Sequence, residues 1–290
     1  MGLTSEKTLV LCGGLQSSGT TLISYCFLQR TDIDGVLDAD NDLLPSLDPH
    51  LARPYAWYKT TISCFRLSEL AQHYRDSGWE VRTLLVIRDL RNVWSSLRKK
   101  PYGLNGITAE DPPLRLRVRR FVDEWQQAAH NGTALLRYED FVTSPETVLR
   151  QACDQLSLSW DPAMLSWPKA PDQIADPKNG NGSFWTSRDA NLMQTLARYR
   201  QTPEKLALPA NELQWLESEF RDFNVVSGYP LHRDATLCAP DDELTLAPPS
   251  FEFTRRYKWE TTQKPFRWLL ARFGRRNQTL IDRRSWKRAA

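Results

Sequence analysis

Short apolar runs alternate along the chain with segments whose apolar residues have helical spacing, and this order is typical of parallel α/β proteins. Short apolar runs predict buried strands at Thr8–Cys12, Ala56–Thr60, Val81–Ile87 and Thr133–Tyr138. Segments with helical spacing follow at 20–29, 68–76, 92–99, 114–129, 145–156, 191–198 and 211–220. This order predicts a three-layer α/β domain, in which helices flank a central parallel sheet and ligands bind at the carboxyl ends of its strands.

The second half of the chain is less regular. Prolines and polar residues dominate residues 160–182, which predicts a long irregular segment. An acidic, proline-rich linker is predicted at residues 234–254, and the chain ends in a basic, aromatic tail at residues 255–290. We therefore expect a main domain at residues 1–233, followed by this linker and tail.

Composition places the chain among ordinary globular proteins. It has 290 residues, of which 41% are hydrophobic and 25% charged. The five cysteines are scattered and form no C-x-x-C pair, which argues against a zinc site or a disulfide framework and suits a reducing compartment. The first apolar run is too short for a signal peptide, and no run approaches the roughly 20 residues of a membrane span. We expect a cytoplasmic protein.

Positive charge is concentrated in the tail. Residues 255–290 hold twelve Lys or Arg and two acidic residues, so the rest of a chain of net charge +3 carries −7. A basic amphipathic helix of this kind can lie on an anionic membrane surface or bind a polyanion, or it can pack on the acidic body. No nucleic-acid-binding motif accompanies the charge, so nucleic acid is not an expected partner.

A glycine-rich segment lies between the first strand and the first helix. Its sequence is Gly-Gly-Leu-Gln-Ser-Ser-Gly-Thr-Thr at residues 13–21, and Gly14 and Gly19 have the G-x-x-x-x-G spacing of a Walker loop. Backbone N–H groups and a helix N-terminus there can hold a phosphate. Thr20, however, occupies the position of the lysine that a nucleotide-hydrolysing P-loop requires.

A second motif follows the strand that ends at Ile87. Arg88 comes directly after it, and Ser96 lies eight residues later in the predicted helix. A guanidinium can clamp a phosphate in a bidentate manner, and a hydroxyl on the next helix can supply another donor. An arginine after a strand is usually a surface charge, but its pairing with the glycine-rich loop at this separation favours a functional role for Arg88.

These two motifs resemble those of sulfotransferases that use 3′-phosphoadenosine 5′-phosphosulfate (PAPS). The resemblance implies that Gly14 and the loop residues that follow bind the 5′-phosphosulfate, and that Arg88 and Ser96 bind the 3′-phosphate. The loop residues are Ser17, Ser18, Gly19, Thr20 and Thr21.

Two weaker matches extend the resemblance to residue 185. Leu-Arg-Tyr-Glu-Asp-Phe, at residues 136–141, resembles the family segment whose tyrosine borders the adenine, which implies that role for Tyr138. Residues 178–185 resemble the basic glycine loop that closes over the 3′-phosphate, which implies a role for Lys178 and Gly180. A strand-ending tyrosine and a surface loop are the alternative interpretations.

The chain departs from the family pattern at two positions. Ser17 stands where the family loop has a lysine or arginine, so we expect Lys59, at the end of a predicted strand, to meet the charge on the leaving phosphate. Thr61 stands where some members have a catalytic histidine. Carbohydrate-directed relatives use a carboxylate after the first helix, and Asp40 is our candidate for that base. Asp38, Asp42 and His50 are its alternatives, and a solvated acidic loop is the non-catalytic one.

The sequence thus predicts a sulfotransferase that moves a sulfuryl group from PAPS to a hydroxyl or amine, with no metal required. Eleven tryptophans and the aspartate segment favour a carbohydrate or glycan over other small-molecule acceptors, although tryptophans also fill cores. One alternative is a P-loop small-molecule kinase. The other is a nucleotide-binding assembly protein that has lost catalysis.

Overall fold

A computed structural model describes residues 8–36, 53–62, 66–98, 114–166, 192–201 and 208–231. The five described strands are β1 (Thr8–Gly13), β2 (Ile33–Val36), β3 (Tyr55–Lys59), β4 (Glu80–Ile87) and β5 (Ala134–Arg137). The first helices are α1 (Thr20–Leu28), α2 (Leu67–Asp76), α3 (Leu90–Leu97), α4 (Leu114–Ala128), α5 (Tyr138–Thr143) and α6 (Pro145–Gln155). A 3₁₀ turn (Pro162–Leu165), α7 (Leu192–Gln201), α8 (Ala210–Glu219) and α9 (Arg221–Val226) follow.

The five strands form one sheet in the order β2-β3-β1-β4-β5, and every neighbouring pair is parallel. β1 is central, with β3 and β4 on either side of it. Cys12 pairs with Lys59 across β1 and β3, and Ile87 pairs with Arg137 across β4 and β5. The carboxyl ends of four strands therefore meet at one edge, where the glycine-rich loop and Arg88 begin.

Alternate residues of each central strand pack into two different hydrophobic layers, because side chains of a strand point to opposite faces. Leu9 and Leu11 of β1 pack with the helices α2, α3, α4, α8 and α9. Val10 and Cys12 pack on the other face, with α1, α5, α6 and α7. The predicted three-layer α/β fold is confirmed.

Aromatic pairs strengthen both layers. In the layer around α1, the Phe27 and Trp57 rings stack with centroids 4.4 Å apart. In the other layer, the Trp94 and Trp215 rings join α3 to α8 at 5.0 Å and an angle of 54°. Pairs at such distances add to the free energy of burial.

Among the differences from the sequence predictions, two concern the sheet. β2 was not predicted, because Asp34 and Gly35 interrupt its short apolar run. The strand predicted to reach Tyr138 ends at Arg137, and Tyr138 begins α5 instead. The second difference places Tyr138 on a helix start at the ligand edge of the sheet.

Candidate functional site

The glycine-rich loop wraps around the start of α1 with two residues in the left-handed region. Ser17 has a φ of +68° and Gly19 a φ of +94°. The Ser18 N–H donates to the Leu15 carbonyl at 3.1 Å, which closes a tight turn. Gly19 is the N-cap of α1, and it has no side chain that could accept a capping hydrogen bond from the first turn of this helix. The sequence thus folds into a loop that presents a helix N-terminus.

Both Walker-spaced glycines are required by close approaches. A Cβ on Gly14 would lie 2.6 Å from Ser18 Oγ and 2.9 Å from the Val86 carbonyl oxygen. A Cβ on Gly19 would overlap the ring of Tyr138. The loop is therefore pressed against the end of β4 and against Tyr138 at the start of α5.

The Ser18 hydroxyl is a buried polar group in this loop. Ser18 is 0% exposed, and its Oγ has no hydrogen-bond partner among the residues that the structure describes. A buried hydroxyl without a partner costs free energy, and such groups call for an explanation such as a bound ligand or water.

Arg88 and Ser96 both reach the loop at Ser17. Arg88 Nη1 donates to the Ser17 carbonyl oxygen at 2.7 Å, and Ser96 Oγ donates to Ser17 Oγ at 3.2 Å. The guanidinium carbon of Arg88 lies 4.4 Å from the centroid of the Tyr138 ring. The structure thus brings together the loop, Arg88, Ser96 and Tyr138, which the sequence placed in one site.

Lys59 enters from the neighbouring strand on the other side of β1. Lys59 is 5% exposed. It lies next to the start of the loop, because the Thr60 N–H donates to the Cys12 carbonyl at 2.8 Å. The Ile62 N–H donates to the Gly14 carbonyl at 2.9 Å. Burial raises the pKa of the Cys12 thiol to about 12, and the nearby positive charge of Lys59 opposes that shift. Lys59 therefore places a cation beside the start of the loop.

A further arginine at the loop was missed by sequence reasoning. Arg117 of α4 is 0% exposed, and its Nη1 donates to Gln16 Oε1 at 2.8 Å. Arg120 on the same helix is also 0% exposed. The available signal was the presence of arginines among the apolar positions of α4, where a buried charge needs a specific partner. The loop has a neutral residue, Ser17, where the family has a cation, but the Arg117 guanidinium is hydrogen-bonded to the neighbouring loop residue Gln16.

The start of α3 is built differently from the start of α1. The Asp89 carboxylate accepts a hydrogen bond from the Arg91 N–H at 2.9 Å and so caps the helix. The Arg91 side chain folds back onto the same carboxylate and also pairs with Glu217 Oε1 at 2.8 Å. At the start of α3, protein side chains therefore provide both the helix cap and the partners of the Arg91 guanidinium.

The other candidate residues lie outside the described residues. They are Asp40, its alternatives Asp38, Asp42 and His50, and the loop residues Lys178 and Gly180. The acidic linker and the basic tail lie outside them as well. The six described tryptophans pack in or against the two hydrophobic layers, so these six give no support to a sugar-binding groove.

Metal binding and membrane crossing each require a particular grouping of residues. Within them, no group of three or more His, Cys, Asp or Glu side chains is arranged to hold a metal ion. No helix in this part of the chain is both long and apolar enough to cross a bilayer.

Comparison with known proteins gives one sequence match and several structural ones. No family model matches the chain. The branched-chain-amino-acid aminotransferase-like protein 1 of Arabidopsis thaliana is 24% identical over 197 residues, which are 67% of this chain and 31% of that protein. The chain therefore spans about a third of the length of this curated relative.

Several of the structural matches are sulfotransferases. The sulfotransferase domain from the curacin biosynthetic pathway superposes with a TM-score of 0.52 and 14% identity, over 78% of this chain and 99% of that one. The sulfotransferase domain of the Synechococcus PCC 7002 olefin synthase gives a TM-score of 0.49 and 15% identity, over 80% and 99%. With its parallel sheet, its glycine loop after β1 and its helices on both faces, this chain has the sulfotransferase fold.

Proposed function

We propose that this protein transfers a sulfuryl group from PAPS to a hydroxyl or amine and releases adenosine 3′,5′-bisphosphate. The observation that carries the proposal is the meeting of two anion-binding elements at Ser17. The loop offers the N-terminus of α1, and Arg88 and Ser96 offer side-chain donors at the same residue. A donor with phosphate groups at both the 5′ and the 3′ position suits such a divided site.

Each candidate site residue that the structure describes has a proposed role. Residues 14–21 hold the 5′-phosphosulfate, with the Ser18 hydroxyl as one donor from the loop. Arg88 and Ser96 hold the 3′-phosphate, and Tyr138 borders the adenine. Lys59 meets negative charge on the phosphate oxygen that departs from sulfur, which is the position where a preorganised cation lowers the barrier most.

The transfer itself forms a bond from sulfur to the acceptor oxygen or nitrogen and breaks the bond from sulfur to the phosphate oxygen. The leaving phosphate keeps the electron pair, and the acceptor's proton goes to a base. Thr61 is not a base near neutral pH, and Asp40 remains our proposal for this role. A carbohydrate hydroxyl remains the proposed acceptor, on the basis of the aspartate segment.

The proposal is tested by calorimetry with two nucleotides that differ only in the 3′-phosphate. We expect adenosine 3′,5′-bisphosphate to bind roughly 10- to 150-fold more tightly than AMP, the usual worth of a charge-assisted contact. Arg88→Ala should remove this preference. Arg82→Ala is the matched control, because Arg82 lies at the other end of β4 and donates to the Leu156 carbonyl.

Equal affinity of the wild-type protein for the two nucleotides contradicts the assignment of the 3′-phosphate site. Magnesium-dependent turnover of ATP in its place would indicate the small-molecule kinase. Tight binding of PAPS without transfer to any acceptor in a radiolabelled screen would indicate the assembly protein. Transfer of labelled sulfate in that screen establishes the activity and names the acceptor.

The basic tail has a separate proposed role, on the basis of its sequence. We propose that residues 255–290 hold the enzyme at an anionic membrane surface. Deletion of these residues should leave binding of adenosine 3′,5′-bisphosphate intact and abolish cosedimentation with phosphatidylserine vesicles. An insoluble deletion variant would show instead that the tail packs on the body.

A further inference from the structure

The residues that follow Arg88 and Tyr138 are bonded to each other. The Asp89 N–H donates to Glu139 Oε1 at 3.0 Å. Asp89 comes directly after Arg88, and Glu139 directly after Tyr138. The guanidinium and the ring that stack at 4.4 Å are thus joined a second time, one residue further along each chain segment.

The second oxygen of the same carboxylate is bonded to a residue ninety positions away. Tyr229 Oη donates to Glu139 Oε2 at 3.0 Å. Tyr229 is 3% exposed, and it follows α9 and packs in the same hydrophobic layer as α3, α4 and α8. Arg137 lies over the Tyr229 ring, with its guanidinium carbon 4.7 Å from the ring centroid.

A further contact closes this chain of bonds into a ring. Arg91 Nη1 donates to the carbonyl of Pro230, the neighbour of Tyr229, and Arg91 also holds the Asp89 carboxylate. The ring therefore runs through Asp89, Glu139, Tyr229, Pro230 and Arg91. It joins the ends of β4 and β5 to the segment after α9.

Two buried groups of this ring, Tyr229 and Glu139, have raised pKa values. Burial, together with the charge of Glu139, raises the pKa of Tyr229, so that its hydroxyl stays a donor. Burial also raises the pKa of the Glu139 carboxyl, while the bonds from Asp89 and Tyr229 favour its ionised form. Buried polar networks that are satisfied in this way hold their members in one arrangement.

We propose that Glu139 is a positioning residue for nucleotide recognition and that Tyr229, through Glu139, sets the selection of the 3′-phosphate from outside the site. Glu139 fixes the Asp89 backbone, and this keeps the Arg88 guanidinium on the Tyr138 ring and on Ser17. This inference rests on the proposed function, because the 3′-phosphate is what Arg88 is proposed to bind. It adds a specificity residue that touches no ligand.

The test is the variant Tyr229→Phe, which removes one oxygen atom and keeps the buried ring. We expect its affinity for adenosine 3′,5′-bisphosphate to fall about 2- to 10-fold, a fraction of the usual worth of a hydrogen bond to a charged group, because the lost bond acts on the nucleotide only through Glu139. Its affinity for AMP should stay unchanged. Glu139→Gln should also lower the ratio of the two affinities. Tyr74→Phe is the matched control, since Tyr74 is a buried tyrosine of α2 that packs on Tyr58.

A purely structural role gives a different result. Tyr229→Phe would then lower the melting temperature, as Tyr74→Phe does, and leave the ratio of the two affinities at its wild-type value. That outcome overturns the inference. A reduced ratio in Tyr229→Phe and an unchanged one in Tyr74→Phe support it.

Amide hydrogen exchange separates this inference from the proposed function. Wild-type protein that binds both nucleotides equally contradicts the 3′-phosphate assignment, but the positioning of Asp89 can still be measured without ligand. We expect Tyr229→Phe to speed exchange at residues 88–92 and not at residues 14–21. Unchanged exchange at residues 88–92 overturns the positioning role whatever the nucleotide preference.

Discussion

The glycine-rich loop before α1 and the short turn before α3 leave neighbouring parallel strands and enter their helices in opposite ways. The loop reaches α1 through Gly19 in a left-handed conformation, and no side chain caps the helix. The turn reaches α3 through Asp89, whose carboxylate accepts the Arg91 N–H and carries the Arg91 guanidinium. One helix start is left open, and the other is filled by the protein itself.

The difference teaches how, under the proposed function, one sheet edge would bind two anionic groups by different chemistry. An uncapped helix start offers backbone N–H groups and positive potential to an anion. A carboxylate in that place repels an anion, so the proposed 3′-phosphate site at the turn before α3 uses the side chains of Arg88 and Ser96 instead. We therefore expect backbone-directed changes to affect the loop and side-chain changes to affect the turn.

The largest expected effect comes from adding a side chain to the open helix start. Gly19→Ala forces alanine to a φ of +94° and drives its Cβ into the Tyr138 ring. We expect a loss of about 2–4 kcal/mol in the free energy of unfolding, from left-handed strain and overpacking together. Urea denaturation measures this loss.

Gly132→Ala is the control for the strain alone. Gly132 has a φ of +63°, and nothing lies within 4 Å of a Cβ added there. Its loss should be limited to about 1–2 kcal/mol. Equal losses in the two variants would show that the approach of Tyr138 to the loop contributes nothing.

The next effect concerns the cation that the loop lacks. Because Ser17 is neutral, we expect Lys59→Ala to lower kcat at least ~100-fold, the usual scale for one preorganised stabiliser. The dissociation constant of adenosine 3′,5′-bisphosphate should change little, since this interaction is made chiefly in the transition state. Ser17→Lys in the Lys59→Ala background should restore part of the activity. Near-normal turnover of Lys59→Ala would move the search to Arg53 or Lys178.

A smaller effect is expected from giving the loop a carboxylate, as the turn before α3 has. Gln16→Glu keeps the bond to Arg117 and strengthens it with charge, so the melting temperature should stay or rise. Binding of adenosine 3′,5′-bisphosphate should weaken about tenfold at low salt, because the added charge repels the anion. Neutral Gln16→Met is the control. Undiminished affinity in Gln16→Glu would place the bound phosphates away from Gln16.

The smallest effect is a change in how stability depends on pH. The pKa of Glu139 lies above its ordinary value of 4.5 in the folded protein, mainly because of burial. The folded state thus holds this proton more tightly than the unfolded chain, and the resulting stabilisation is lost as the pH rises above that value. Relative to wild type, Glu139→Gln should gain stability as the pH rises from 4.5, because glutamine has no proton to lose. Exposed Glu146→Gln is the control, and parallel pH profiles for wild type and Glu139→Gln would contradict this.

The sequence predicted correctly those elements whose signal lies in consecutive residues. The apolar run of β1, the glycines after it and the helix that follows are local, and so is the spacing from Arg88 to Ser96. β2 was missed because four residues with Asp34 and Gly35 among them carry little apolar signal. Its strand pairing with β3 supplies what its own sequence does not.

The missed site residues depend on contacts between distant segments. Arg117 reaches Gln16 across 101 positions, and Tyr229 reaches Glu139 across 90. Arginines on helices are mostly exposed, so the sequence alone predicts an exposed Arg117. Only the packing of α4 shows that this side chain is buried. Tyr138 had an implied role, but its contact with Gly19 follows from the early end of β5.

The indole pair that joins α3 to α8 also has an optical consequence. Trp94 and Trp215 lie 5.0 Å apart with their planes at 54°, and Trp94 is two residues from Ser96 on α3. Electronic transitions of two chromophores so close and so far from parallel couple to each other, which gives circular dichroism bands of opposite sign. The ultraviolet circular dichroism spectrum of the unlabelled protein therefore reports the position of α3, the helix that carries Ser96, relative to α8. Trp215→Phe should remove this pair of bands.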